Sequence, residues 1–337
     1  MKIVADSHIP YLTVDTIDGV ELVRCDEISR SDIVDADALL VRTRTRCNAA
    51  LLDGTKVQFI GSATIGTDHI DLDYCHQAGI TVCNAPGCNA PAVAQWVMSG
   101  IGYWMEMRGI NDASSLTLGV VGVGHVGSIV ARWARQLGFS VLLNDPPLEY
   151  ARHQGMTFSH IDELLEKCDI ITFHTPLTCE GQWPTWHLCN MDFLSRAVRC
   201  RLLLNAARGA VCDTEALLGW GGDMAIDCWE GEPDINRLLL QRAFIATPHI
   251  AGYSIEGKQR GTAMIQDALC RHFRLPLIPM ETVSPYEGAH QVTLTGIMHS
   301  YNPLDDTANL KPSPQSFEAL RNNYPLRHEV RKNKPLT

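Results

Sequence analysis

Three side chains with acid–base or carboxylate-binding chemistry follow predicted strands in the second half of the chain: Arg208, Glu232 and His249. An arginine can hold a planar carboxylate through two parallel hydrogen bonds. A histidine can accept a hydroxyl proton, and a glutamate bonded to its imidazole sets the tautomer and raises the pKa of the ring. The three residue types together are suited to oxidising a 2-hydroxy acid, provided that a hydride acceptor is bound beside them.

A glycine-rich stretch predicts the site for such an acceptor. The apolar run Thr117–Val121 leads directly into Gly122-x-Gly124-x-x-Gly127. In a dinucleotide-binding turn, the first glycine permits the tight turn, the second lets the backbone approach a pyrophosphate, and the third lets helix and strand pack closely. The N-terminus of the following helix offers N–H groups to the phosphates. We therefore predict a Rossmann-type dinucleotide site, with an ordinary glycine-rich βαβ turn as the alternative.

One acidic residue indicates which dinucleotide is bound. Asp145 follows a second apolar run, Ser140–Leu143. A carboxylate at the end of this strand accepts hydrogen bonds from ribose hydroxyls, and it would repel a 2′-phosphate. The expected cofactor is therefore NAD rather than NADP.

These residues are positioned by strands that alternate with helices, which is typical of an α/β protein. We predict a doubly wound parallel sheet of Rossmann type over residues 89–251. A second, flavodoxin-like α/β substrate domain is expected to combine residues 1–88 with 252–276, and a small C-terminal segment covers 277–337. Long or amphipathic helices are predicted at Ala90–Met107, Ile161–Lys167 and Ile255–Phe273.

Two threonines of the first domain follow predicted strands and should face a ligand. Thr43 comes after Ala38–Arg42, and Thr64 comes after Val57–Gly61. Ligands of parallel sheets bind at the carboxyl ends of strands. Three arginines alternate with threonines in the same stretch, and they favour either an anion site or a solvated loop: Arg42, Arg44 and Arg46.

Composition excludes several classes of function. The formal net charge is −10, and the sequence has no block of basic residues that could bind nucleic acid. No apolar run has the length of a membrane span, and the N-terminal residues lack the apolar core of a signal peptide, so we expect a cytoplasmic protein without a membrane partner. Twelve cysteines without a CxxC pair are interpreted as reduced core residues. The spacing of His69 and His76 matches no ligand motif, so no metal site is predicted.

Several stretches resemble the D-isomer-specific 2-hydroxyacid dehydrogenases. They are ADALLVRTRT, SATIGTDHID, NAPGCNA, GVVGVGHVG, NDPP, FHTPLT, LNAARGAVCDTEALL, DCWEGEP and ATPHIAGYSIEGKQRGT. NAPGCNA, the DPP and AGYSIEGKQRGT are closer to the branch of that family that acts on 4-phospho-D-erythronate. The resemblance implies NAD-dependent oxidation of that acid to (R)-3-hydroxy-2-oxo-4-phosphooxybutanoate, a step in the synthesis of pyridoxal 5′-phosphate (vitamin B6).

The same resemblance implies roles for individual residues. Arg208, Glu232 and His249 are the implied catalytic set. Substrate contacts are implied at Thr43, Thr64 and Tyr253. In addition to Gly122, Gly124, Gly127 and Asp145, the implied NAD contacts are His125, Val126, Thr175, Ala206, Ala207, Arg208, Asp227 and Gly252. The family resemblance also implies a homodimer joined by the C-terminal domain.

Two alternatives to this function remain open. The first is oxidation of another acid, such as 3-phosphoglycerate, by an enzyme of the same family. The second is a non-catalytic NAD-sensing protein with the same fold.

The chain departs from the family pattern in two places. Between Asp213 and Asp227 it is several residues shorter, and its glycines leave room for at most about two helical turns. In the C-terminal segment, alternating polarity predicts a strand at Gln291–Met298. The rest, Tyr301–Thr337, is proline-rich and polar, which favours a weakened dimer or a disordered tail. We therefore expect only part of a dimerisation domain.

Overall fold

The computed structural model describes residues 1–151, 155–280 and 292–330. Over these ranges the chain forms two compact units. The first unit comprises residues 1–89 and 254–280, and the second comprises residues 90–253 and 292–330. The chain leaves the first unit after Asn89 and returns to it at Ser254.

A five-stranded parallel sheet forms the centre of the first unit, in the order β2-β1-β3-β4-β5. Its strands are β1 (Lys2–Asp6), β2 (Glu21–Cys25), β3 (Ala38–Val41), β4 (Phe59–Ser62) and β5 (Thr81–Cys83). The sequence of β3 is ALLV, and all four residues are buried, as expected for a central strand covered on both faces. Thr43 follows β3 and Thr64 follows β4, so both lie at the carboxyl edge of this sheet.

A six-stranded parallel sheet forms the centre of the second unit, in the order β11-β10-β9-β8-β6-β7. Its strands are β6 (Thr117–Val121), β7 (Ser140–Asn144), β8 (Ile170–Phe173), β9 (Leu202–Asn205), β10 (Asp223–Ile226) and β11 (Ile245–Ala246). The strand order reverses at β6, which lies between β7 and β8. The predicted Rossmann-type doubly wound sheet is thereby confirmed, and its switch point is the strand that precedes Gly122.

Helices connect the strands of both sheets. Those in the described ranges are α1 (Arg30–Ile33), α2 (Ala49–Leu52), α3 (Leu72–Gln77), α4 (Ala90–Met107), α5 (His125–Gln136), α6 (Pro146–Tyr150), α7 (Ile161–Lys167), α8 (Met191–Arg196), α9 (Thr214–Gly219), α10 (Arg237–Arg242), α11 (Ile255–Phe273), α12 (Leu294–Ser300), α13 (Pro303–Leu310) and α14 (Phe317–Asn322). The predicted bounds of α4, α7 and α11 are confirmed. Helix α9 ends after six residues, within the two turns that its glycines were expected to allow. None of the helices described here is long and apolar enough to cross a membrane.

Helix α4 is the central helix of the second unit. Its two tryptophans, Trp96 and Trp104, are fully buried. Each indole nitrogen donates a hydrogen bond, from Trp96 to Thr247 Oγ1 at 3.0 Å and from Trp104 to Asp223 Oδ2 at 2.7 Å. A buried indole N–H needs such a partner, so these bonds help to hold β10 and the loop after β11 against α4.

The strand predicted at Gln291–Met298 is wrong over the residues that the structure describes. Leu294–Ser300 is helix α12, and Thr293 is its N-cap, with Oγ1 accepting from the Gly296 N–H at 3.1 Å. Leu294 and Met298 are four residues apart and both pack at Gly102 of α4, where a Cβ would lie 2.6 Å from the Met298 sulfur. The segment forms a helix although its polar and apolar residues alternate, because the helical spacing of Leu294 and Met298 places both against α4. Gln291 itself lies outside the described residues.

The disordered tail, one of the two alternatives for the residues from Tyr301 onward, is wrong for residues 301–330. Helices α13 and α14 bury Leu310 and Phe317 almost completely. Thr307 of α13 accepts a hydrogen bond from the Ala246 N–H of β11 at 3.0 Å. Because β11 is an edge strand, this helix covers backbone groups that would otherwise be open to pairing. Residues 331–337 lie outside the described residues.

Candidate functional site

The three glycines of the turn after β6 differ in how much space surrounds the position of a Cβ. Gly122 has φ +87°, and a Cβ on it would lie 2.7 Å from the His174 carbonyl carbon. A Cβ on Gly127 would lie 2.0 Å from the Gly122 carbonyl oxygen. A Cβ on Gly124 would meet no described atom within 4 Å. The outer two glycines are therefore required for packing, whereas the middle one leaves the backbone open to a ligand.

Asp145 holds this turn from the end of β7. Its Oδ2 accepts a hydrogen bond from the Val123 N–H at 2.7 Å, and its Oδ1 accepts from the Leu148 N–H at 3.0 Å. The side chain thus braces the glycine turn and caps α6, whose first two residues are prolines. A carboxylate has about four lone-pair sites, so capacity remains for ribose hydroxyls.

These surroundings fit a dinucleotide. Helix α5 begins at His125 directly after Gly124, which has no side chain to cap the first N–H groups. Two buried polar atoms beside the turn have no hydrogen-bond partner among the described residues: His174 Nδ1 and Thr175 Oγ1. Burial lowers the pKa of His174 to about 3, so this ring is neutral near pH 7. The turn and helix offer N–H groups to phosphates, and Asp145 and Thr175 offer groups suited to sugar hydroxyls or amides.

The loop after β11 is organised by a buried carboxylate on the neighbouring strand. Asp227 is 1% exposed and follows β10. Its carboxylate accepts hydrogen bonds from Thr247 Oγ1 at 2.6 Å, the Ile250 N–H at 2.8 Å and the Ala251 N–H at 3.0 Å. Its carbonyl oxygen accepts from the His249 N–H at 3.0 Å. Asp227 therefore holds the loop on both sides of His249, and its predicted contact with NAD stays a prediction.

Glu232 and His249 meet at this edge of the sheet. His249 Nδ1 lies 2.5 Å from Glu232 Oε1, and Glu232 Oε2 accepts from the Trp229 N–H at 3.1 Å. Burial lowers the pKa of His249, but the Cys228 sulfur and the Glu232 carboxylate outweigh burial and raise it well above its ordinary value. Burial raises the pKa of Glu232, but the hydrogen bond and charge of His249, the Trp229 N–H and the charge of Arg321 together lower it below its ordinary value. The pair thus favours an imidazolium beside a carboxylate.

Arg208 lies in the loop after β9, and this loop packs directly on the loop that carries Glu232. A Cβ on Gly209 would lie 2.0 Å from the Trp229 carbonyl oxygen. Asn205, at the end of β9, donates from Nδ2 to the carbonyls of Arg208 at 3.0 Å and Cys228 at 3.2 Å. The two loops therefore touch backbone to backbone, which sets the separation of Arg208 from Glu232.

A second histidine–glutamate pair connects the segment between β8 and α8 with the same two loops. His187 Nε2 lies 2.6 Å from Glu230 Oε1, and the His187 N–H donates to the Ala210 carbonyl at 2.8 Å. Glu230 Oε2 accepts from the Thr214 N–H at 3.2 Å. Asp213 lies near this pair, and ligand atoms of the three side chains lie within 4.8 Å of one another, a spacing that would suit a metal ion. Sequence reasoning missed it, because nothing local marks His187 as a partner of a residue 43 positions away.

The predicted substrate residues lie in different units. Thr43 is exposed, and Thr64 is half-buried, with Oγ1 at 2.8 Å from Ser62 Oγ. Arg42, beside Thr43, donates from Nε to Asp6 Oδ2 at 2.9 Å, so this arginine has an acidic partner. Tyr253 belongs to the second unit, is half-buried, and accepts at its hydroxyl from Arg321 Nε at 3.3 Å.

The other residues predicted to contact NAD lie on the loops of the second unit. His125 and Val126 begin α5, Ala206 and Ala207 precede Arg208, and Gly252 follows the His249 loop. All these positions are at the carboxyl edge of the six-stranded sheet. The structure therefore places the predicted cofactor residues on one edge, and their individual contacts with NAD stay predictions.

Comparisons with known proteins identify the family. Residues 89–251 match the model described as "D-isomer specific 2-hydroxyacid dehydrogenase, NAD binding domain". The solved D-lactate dehydrogenase of Aquifex aeolicus, complexed with NAD and lactic acid, has 24% identity and a TM-score of 0.63, covering 81% of this chain and 96% of that one. The NAD⁺-bound 3-phosphoglycerate dehydrogenase of Entamoeba histolytica has 24% identity and a TM-score of 0.65, covering 84% and 99%.

Similarity extends over nearly the whole chain in another relative. The erythronate-4-phosphate dehydrogenase of Bacteroides thetaiotaomicron is 44% identical, over 98% of this chain and 97% of that protein. The chain therefore belongs to the D-isomer-specific 2-hydroxyacid dehydrogenase family, with the erythronate-4-phosphate dehydrogenases among its full-length relatives.

Proposed function

We propose that this protein oxidises 4-phospho-D-erythronate to (R)-3-hydroxy-2-oxo-4-phosphooxybutanoate with NAD, a step in the synthesis of pyridoxal 5′-phosphate. The observation that carries the proposal is the Glu232–His249 pair, at 2.5 Å, on the same sheet edge as the glycine turn and Arg208. Full-length similarity to a protein named for erythronate 4-phosphate supports this choice of acid.

The chemistry that NAD supplies when bound is acceptance of a hydride. The protein supplies alignment and proton transfer. Arg208 is suited to hold the substrate carboxylate through its planar fork of donors. His249 presents Nδ1 to Glu232, which leaves Nε2 to accept the proton of the C2 hydroxyl. Glu232 then stabilises the imidazolium that forms.

The loops explain how the proton acceptor is kept in place. Asp227 holds the loop around His249 through hydrogen bonds from three backbone N–H groups and from the Thr247 hydroxyl. The contact of Gly209 with Trp229 and the His187–Glu230 pair hold the Arg208 loop against the Glu232 loop. Held in this way, the three groups need little rearrangement when substrate binds, which preserves the alignment on which rate depends.

The proposal is tested by NADH formation at 340 nm with purified protein, NAD and 4-phospho-D-erythronate, beside 3-phosphoglycerate. A parallel reaction includes a 2-oxo acid, which can reoxidise NADH that stays bound. Selective oxidation of 4-phospho-D-erythronate is the expected result. Oxidation of 3-phosphoglycerate alone would retain the family and change the substrate. A folded protein that binds NADH but oxidises neither acid would favour the non-catalytic NAD-sensing alternative.

We also propose that the enzyme works in the cytoplasm as a homodimer. All twelve cysteines are free and most are buried, which suits a reducing compartment. The homodimer follows from the resemblance to the family, and light scattering of the purified protein measures it directly. A monomer at assay concentrations that still turned over would contradict the homodimer without affecting the proposed chemistry.

A further inference from the structure

Residues 292–330 reach the loop that follows His249. Arg327 donates to the carbonyls of Ile250 at 3.2 Å, Ala251 at 2.5 Å and Tyr253 at 3.1 Å. Its guanidinium carbon also lies 4.0 Å from the centre of the Tyr301 ring. The donors of Arg327 are thus used within the protein, and this arginine fixes the loop rather than binding a ligand.

Arg321 of α14 lies beside the same loop but makes few contacts. Its Nε donates to the Tyr253 hydroxyl at 3.3 Å, and its Nη1 lies 3.6 Å from Glu318 Oε1 in an ion pair. The side chain is 20% exposed. A guanidinium has five N–H donors. Among the described residues, Arg321 uses one of them in a hydrogen bond, to Tyr253. Nη2 has no partner among the described residues, so its two N–H groups are available to a ligand.

Arg321 is positively charged, and its charge acts on Glu232 of the proposed catalytic pair. Burial lowers the pKa of Arg321, but Tyr253, Glu232 and Glu318 raise it above its ordinary value. Its positive charge in turn lowers the pKa of Glu232. A half-buried cation at Tyr253 whose field reaches Glu232 favours the approach of an anionic substrate, in a chain whose net charge is −10.

We propose that Arg321, together with the Tyr253 hydroxyl, binds the phosphate group of the substrate. The inference rests on the proposed function, because it assigns the far end of the acid whose carboxylate is held by Arg208. A phosphate presents several acceptor oxygens, which match a planar fork of donors and an adjacent hydroxyl. The C-terminal residues 292–330 thus select substrates bearing a phosphate, in addition to covering β11.

The test compares 4-phospho-D-erythronate with D-erythronate, which lacks the phosphate, in wild type, Arg321→Met and Arg321→Lys. Loss of hydrogen bonds to a charged group should raise KM for the phosphorylated acid roughly 10- to 100-fold in Arg321→Met. KM for D-erythronate should change far less than KM for the phosphorylated acid, so the preference for phosphate falls by about the same factor. Arg321→Lys keeps the charge but loses the fork, and it should recover part of the preference.

Controls separate recognition from folding. Arg199→Met removes an arginine that is 57% exposed and paired with Asp169 near the opposite end of β9, and it should leave both KM values unchanged. Far-UV circular dichroism and thermal unfolding of each variant report any loss of structure. An equal loss with both acids in a folded Arg321→Met protein would overturn the proposal. An unchanged Arg321→Met variant beside a phosphate-selective loss in Arg44→Met would assign the phosphate to the first unit instead, and this too would overturn it.

Equilibrium binding keeps the inference independent of turnover. Isothermal titration of the NADH complex with 4-phospho-D-erythronate should show an affinity that falls in Arg321→Met by the same roughly 10- to 100-fold. If the wild type binds this acid through Arg321 but does not oxidise it, the proposed function fails and the phosphate site remains. If the wild type oxidises it and Arg321→Met binds it equally well, the proposed function remains and the phosphate site fails.

Discussion

Replacing Glu232 with glutamine removes the negative charge beside His249 but keeps the size of the side chain and one acceptor oxygen. Glu232 Oε1 lies 2.5 Å from His249 Nδ1, and the two side chains are 23% and 27% exposed. A hydrogen bond between charged groups at this degree of burial contributes about 1.5–3 kcal/mol. If His249 becomes an imidazolium in the transition state, the loss corresponds to a kcat that is roughly 10- to 150-fold lower.

The same substitution changes the pH dependence, and the sign follows from the role of a base. His249 accepts a proton, so its neutral form is the active one. Because the pKa of His249 is raised in the wild type, oxidation should accelerate with pH through a limb that lies above the ordinary histidine range. Glutamine carries no charge to stabilise the imidazolium, so the acidic limb should move to lower pH in Glu232→Gln.

The assay is kcat/KM for 4-phospho-D-erythronate across pH 5.5–10, followed as NADH absorbance. Glu230→Gln is the matched control, because it makes the same change two residues away in the same loop, at a carboxylate bonded to His187 instead of His249. Its acidic limb should coincide with that of the wild type. If the limb of Glu232→Gln stays in place or moves upward, or if kcat is unchanged, the assigned pairing of Glu232 with the base is wrong.

Three further predictions follow from the site. His249→Ala should lower turnover by about 10²–10⁴-fold without changing NADH affinity, and normal activity would rule out His249 as the base. Asp145→Ala should weaken NADH binding roughly tenfold or more in a fluorescence titration, while Asp145→Asn, which keeps an acceptor for the Val123 N–H, should lose less. Gly209→Ala should lower the free energy of unfolding by about 1–3 kcal/mol and reduce kcat, because its Cβ would lie 2.0 Å from the Trp229 carbonyl oxygen. Gly221→Ala, where a Cβ would meet no described atom within 4 Å, is its control and should unfold like the wild type.

Several elements of both units could be predicted from local patterns. The bounds of α7 and α11 agree with capping side chains, and α4 follows from its long apolar run; these signals act over a few residues. The glycine turn and Asp145 were also predictable, because the spacing of a strand, a turn and a helix is itself local. Helices α12 and α13 were not predictable, since they are stabilised by packing against α4 and β11, which are more than fifty residues away in sequence.

The sequence by itself determined which side chains lie at the carboxyl edge of the second sheet. Arg208, Glu232 and His249 each follow a strand, and parallel strands end at one edge. Only the tertiary structure decided which of them meet. The pairing of Glu232 with His249, the burial of Asp227 beneath that loop, the His187–Glu230 link and the position of Arg321 at Tyr253 all join residues far apart in the chain. Such contacts depend on how loops of different strands pack together, and no local spacing encodes that arrangement.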